Sequence, residues 1–117
     1  MSSTRAASGA YAEQQAALYL QAQGLQIIER NWRCRFGEID LIARQGPTLV
    51  FVEVRARRSR SYGGAAFSIT PAKCARWMAA AEHYLATVSP QPPCRFDAIC
   101  FDGGRIEWLQ HCLEASH

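Results

Sequence analysis

The chain has 117 residues, 49% hydrophobic and 20% charged, a balance that fits one ordinary globular domain and excludes a disordered or fibrous chain. Its net charge of +3 is too small to name a partner, and no run approaches the ~18 apolar residues of a membrane helix. The opening MSSTRAASGA has no apolar stretch after its charge, so a cytoplasmic protein without a secretory leader is expected.

Residues 1–8 are expected to be flexible. In AYAEQQAALYLQAQ, residues 10–23, Ala12, Ala16, Tyr19 and Leu20 recur at helical spacing, and Gly24 suits the left-handed residue that ends a helix. LQIIERNW predicts a first strand. FGEIDLIAR predicts a second, with Ile39, Leu41 and Ala43 on one face and Glu38, Asp40 and Ile42 on the other. Gln45-Gly46-Pro47 marks a turn. TLVFVEVRAR is a third strand, with Leu49, Phe51, Glu53, Arg55 and Arg57 on one face and Val50, Val52 and Val54 on the other.

RRSRSYGGAAFS has turn composition, so residues 57–68 are expected to form a mobile loop. Thr70 and Pro71 then open a helix as N-cap and first helical residue, continued by KCARWMAAAEHYLATV. SPQPP stops it. CRFDAICF and RIEWLQ are two more strands, joined by the hairpin signal Asp102-Gly103-Gly104. The order is helix, three strands, helix, two strands, in one domain spanning 1–117 without internal repeats.

Five cysteines, odd in number and widely spaced, form no C-x-x-C pair, and the three histidines complete no zinc pattern. Reduced thiols in the core are expected. The positive charge is unevenly spread. Between Arg30 and Arg60 stand eight arginines against Glu38, Asp40 and Glu53, whereas the remainder is slightly acidic. Basic density around acids suits a site that handles phosphate.

Asp40 and Glu53 lie inside strongly apolar strands, where an acid needs a cation to satisfy it. The turn at 45–47 brings the two strands together, so Asp40 can lie beside Glu53, and Arg55 projects with Glu53. Two such carboxylates can hold one Mg²⁺, with a backbone carbonyl near Val54 and waters completing the octahedron. Such an ion polarises a phosphodiester and lowers the pKa of an attacking water. On spacing alone, a cross-strand salt bridge between acid and arginine is the commoner outcome.

G-E-I-D-L-I-A, then V-F-V-E-V-R-x-R, Y-G-G-A, T-x-x-K and a late R-F-D resemble the YraN family of uncharacterised bacterial proteins. That family is nuclease-like and related to archaeal Holliday-junction resolvases and the restriction-endonuclease superfamily. The resemblance runs from about Gly9 to Leu109. It implies an α/β fold with a restriction-endonuclease-like αβββαβ core, a mixed central sheet flanked by helices. It also implies a metal site for Mg²⁺ or Mn²⁺ with Asp40 and Glu53 as ligands and Glu13 as a further acid. The superfamily pattern D-x(n)-E-x-K puts its lysine where this chain has Arg55. Arginine stays protonated and cannot be a general base, but it can contact a phosphate.

Other residues keep two readings open. Glu38 is a further metal ligand or a partner for Arg33 or Arg35. Glu13, apart from the resemblance, is a solvated helix charge. Gly37 permits a bulge or a close backbone approach. Arg57, Arg58 and Arg60 grip phosphates or form a solvated charge run, and Lys73 and Arg76 sit one turn apart near a helix N-terminus that attracts phosphate. Tyr62 and Phe67 stack on bases or pack back onto the core. Trp32, Trp77 and Trp108 are core or interface residues.

Two functions are therefore expected in competition. One is a metal-dependent endonuclease for branched or structured DNA, as a homodimer that addresses two strands. The other is a non-catalytic nucleic-acid-binding or partner-docking module on a nuclease scaffold.

Overall fold

Small residues decide how the first helix sits. In α1 (Thr4–Ala22), Ala12, Ala16, Ala17 and Leu20 form the buried stripe, and alanines let a helix lie close to the sheet beneath it. The computed structural model describes residues 4–57, 70–88, 90–102 and 104–113. The helical backbone begins at Thr4 rather than Ala10, in keeping with the helix-favouring Ala6 and Ala7. At its far end Gly24 adopts φ 98°. The amide of Gly24 then donates to Gln21 O and that of Leu25 to Leu20 O, the paired bonds of a Schellman cap. Leu25 and Leu20 close the cap in one apolar cluster.

The strands are β1 (Gln26–Cys34), β2 (Gly37–Gln45), β3 (Thr48–Arg57), β4 (Cys94–Asp102) and β5 (Arg105–Leu113), with α2 (Pro71–Leu85) between β3 and β4. They form one sheet in the order β1-β2-β3-β4-β5. Among the described strands only the β3–β4 pair is parallel, and a parallel pair needs a crossover, which contains α2. This is the expected mixed sheet flanked by helices. No described helix is long and apolar enough to cross a membrane.

Each face of the sheet has its own core. Leu41, Ala43, Val50, Val52 and Ile99 pack with α1, whereas Ile39, Ile42, Leu49, Phe51 and Phe96 pack with Trp77, Ala80, Ala81 and Leu85 of α2. Burial on both faces explains the nearly unbroken apolar run of β3. Alternation in β3 is as expected. In β2 it is not: Ile39 sits on the α2 side, opposite Leu41 and Ala43. The β2–β3 ladder ends at Leu41↔Val52, and across from Asp40 the β1 residue Asn31 has φ 52°, so strict alternation is lost there.

Two boundaries also differ. Helix α2 ends at Leu85, and the amides of Ala86, Thr87 and Val88 close the turn onto Glu82, Tyr84 and Leu85 carbonyls. Strand β5 continues past Gln110 to Leu113. Asp97, fully buried, explains that extension. Its Oδ1 accepts from the His111 amide (3.1 Å), where His111 has φ 57°, and its Oδ2 accepts from Trp108 Nε1 (2.9 Å). Arg95 Nε lies 3.1 Å from both oxygens. The buried acid thus holds β5 on β4 across the irregularity between Phe96 and Ala98.

No disulfide joins any of the five cysteines, all of them among the described residues, and Cys100 is buried. Trp77 is buried, and Trp32 and Trp108 pack against the two cores.

Candidate functional site

The strands β2 and β3 stop pairing just where their acids begin. Beyond Leu41↔Val52, Asp40 replaces a ladder bond with its side chain: the Val54 amide donates to Asp40 Oδ2 at 2.9 Å. The bond fixes the backbone at Val54, near which the sequence places a carbonyl as a further metal ligand. The gap opens a cleft of about 210 Å³ lined by Gly37, Glu38, Asp40, Glu53, Lys73, Arg76 and Trp77.

Three elements bring acids to that gap. The alanine stripe holds α1 against the sheet, so Glu13 reaches the β2 acids. Carboxylate oxygens of Glu13, Glu38 and Asp40 all lie within 4.8 Å of one another. Glu53, only 6% exposed, faces the α2 side from β3. This clustering has an electrostatic cost. Burial pushes the Asp40 carboxyl up from 3.8 to about 7, the neighbouring Glu53 adds to the rise, and Glu13 and Glu38 add smaller increments. The Val54 hydrogen bond opposes it.

Glu53 has cations of its own. Lys73 Nζ stands 2.8 Å from Glu53 Oε2, and Arg55 Nη1 stands 3.6 Å from the same oxygen. Lys73 is positioned by the start of α2, where Thr70 caps the helix and accepts from the Lys73 amide at 3.1 Å. At the outer end, Glu38 lies 3.7 Å from the well-exposed Arg33, one of the two arginines expected to pair with it, while its carboxylate also stands in the group with Glu13 and Asp40. Gly37 adopts φ 151°, a conformation few residues with a side chain accept. Its backbone lies against Arg76, where an added Cβ would meet Arg76 Cβ and O at 3.6 Å. Space would allow that carbon; the dihedral is what favours glycine.

The site residues expected from the sequence therefore divide. Asp40, Glu53, Glu38 and Glu13 converge. Arg55 contacts Glu53 but does not line the cleft, while Lys73 and Arg76 do. Arg57 is the last residue of β3. Arg58 and Arg60, with most of the expected mobile loop and its Tyr62 and Phe67, lie outside the described residues. Sequence reasoning missed the pairing of Lys73 with Glu53. T-P-x-K places a lysine in the first turn of a helix, but nothing local to it says which strand that turn meets.

Residues 12–101 match the Uncharacterised protein family UPF0102. A UPF0102 protein of Cupriavidus taiwanensis is 55% identical over 113 residues, 96% of this chain and 86% of its own length. One from Nitrosomonas eutropha is 56% identical over 115 residues, covering 97% of this chain and 98% of its own. With nearly full-length identity above half, this chain belongs to the UPF0102 family, whose YraN-like pattern its strands carry.

Proposed function

We propose that this protein is a nucleic-acid-binding protein with a metal-dependent endonuclease site, directed at branched or structured DNA. The observation that carries the reading is the crowding of Asp40. A carboxyl pushed up to about 7 by burial and three neighbouring acids is one whose crowding a bound cation would relieve. The donor set is all oxygen, which fits Mg²⁺ or Mn²⁺ and not a soft metal. Asp40, with Glu13 and Glu38 on one side and Glu53 on the other, would hold the ion. Bound there, it would supply Lewis-acid polarisation of a phosphodiester.

The chain's own residues support the same substrate. Lys73 and Arg76 add positive charge to the cleft wall, and the α2 N-terminus favours an anion beside it. In hydrolysis a water oxygen bonds to phosphorus, the bond to one ester oxygen breaks, and a water proton ends on the departing oxygen. A two-fold dimer is the assembly that would address both strands of a branched substrate.

The non-catalytic module is favoured by one observation: Glu53 already has two cations within 3.6 Å. Incubation of wild type with junction, flap, single-stranded and duplex DNA in Mg²⁺ and in Mn²⁺ tests the choice. Nicking that vanishes in both Asp40→Asn and Glu53→Gln is expected. DNA binding that persists without any cutting and strengthens in Asp40→Asn would select the binding module instead.

A further inference from the structure

We propose that Lys73, not Arg55, is the cation with which the cleft meets a phosphate oxygen of its substrate. The inference rests on the phosphodiester reading above and names the residue that answers the phosphate. Both cations reach the same atom, Glu53 Oε2, but from different directions. Arg55 projects from β3 two residues along from Glu53, with its side chain 21% exposed and absent from the cleft wall. Lys73 arrives from α2, is 39% exposed, and lines the cleft with Asp40 and Glu38.

The surroundings of Lys73 fit an incoming oxyanion. Its backbone is pinned by Thr70 at the positive end of a 15-residue helix. Arg76, one turn on, lines the same cleft. Trp77, also in the cleft wall, has its indole N–H buried with no acceptor among the described residues. An ammonium on a flexible four-carbon stem can turn from Glu53 to a phosphate oxygen and keep its charge, acting as a point charge on the negative charge that gathers there. The ammonium reaches Glu53 from a different element, 20 positions later in the chain.

Glu53 cannot serve an ammonium and a divalent cation equally. Loss of the Lys73 charge therefore has opposite effects on two readouts, which a merely structural lysine would not produce. In Lys73→Met, single-turnover cleavage of a nicked or branched DNA is expected to slow by about 100-fold or more. Calorimetric Mn²⁺ binding, measured without DNA, is expected to be as tight as in wild type or tighter. Lys73→Arg is expected to recover at least about tenfold of the lost rate, because it restores the charge. Arg55→Met is expected to lose less than about tenfold. The proposal is overturned by a Lys73→Met protein that cuts at the wild-type rate. It is equally overturned by a larger loss in Arg55→Met, or by a Lys73→Met loss that merely follows weaker Mn²⁺ binding or a lowered melting temperature. A wild type that cuts nothing removes the phosphodiester reading itself, and this proposal with it.

Discussion

Asp97 and Asp40 are both inward-facing aspartates on strands of the same sheet, yet their surroundings are opposites. Asp97 is fully buried and met by Arg95 Nε, the Trp108 indole and the His111 amide, so a guanidinium and two neutral donors share its charge. Asp40 receives one backbone amide and otherwise faces Glu53, Glu13 and Glu38. Deeper burial alone would mark Asp97 as the strained residue. The partners reverse that ranking: a buried acid with donors all round holds a fold together, and a less buried acid among other acids carries an electrostatic cost.

Breaking the satisfied end of the comparison has the largest effect. Asp97→Ala strands Arg95 in the interior, where Nη2 already has no partner among the described residues, and frees the indole and amide it held. Removing one member of such a pair costs about 3–5 kcal/mol. Melting followed by circular dichroism is expected to fall by roughly 10–20 °C. A drop of only a few degrees would show that Arg95, bonded also to Gln45 at 2.6 Å, holds the strands without the acid.

The crowded end responds with the opposite sign. The Asp40 carboxyl titrates at about 7 in the metal-free fold and near 3.8 when unfolded, so between those values the folded state holds more protons. Metal-free stability therefore falls as pH rises from about 4 through 7, and levels off above. The full rise corresponds to roughly 4 kcal/mol, which water at the mouth of the cleft trims to about 2–4 kcal/mol. Asp40→Asn is expected to be the more stable protein at pH 8 in chelator, with the pair converging near pH 4. If the cleft holds Mn²⁺ as proposed, the same substitution is expected to lose the stabilisation the ion would give, about 2.7 kcal/mol at a hundredfold excess over Kd. Parallel pH profiles for the two proteins would mean that Asp40 is not the crowded group.

How much of this could be read beforehand follows from the range of each interaction. Gly24 as a helix end, Thr70-Pro71 as a helix start and the period-two faces of β3 depend on neighbours within a few residues, so they were legible. Asp40 beside Glu53 was legible too, because a short turn sets the β2–β3 register. The side change at Ile39 was not, since it arises where β2 and β3 cease to pair. The Lys73–Glu53 contact spans 20 positions and depends on where a helix lands on a sheet, which no local pattern encodes. Asp97 was visible only as part of R-F-D, its role hidden until β5 placed Trp108 and His111 against it.

The smallest effects grade the crowd around Asp40. Among the acids, Glu53 contributes most to its raised titration, ahead of Glu13 and then Glu38. Neutralising each as glutamine is expected to lower the Asp40 midpoint in that order, followed by carboxyl carbon NMR in chelator. Arg33→Ala sits at the far end of the scale. Its pair with Glu38 is 3.7 Å long, and the arginine side chain is 74% exposed. Such a pair contributes about 0–1 kcal/mol at most. Losing it leaves Glu38 slightly more negative toward Asp40, so the Asp40 midpoint is expected to rise rather than fall, by a few tenths of a pH unit at most. A fall would mean that Arg33 holds Glu38 toward Asp40 instead of shielding it, and the outer acid would then belong to the surface rather than to the cleft.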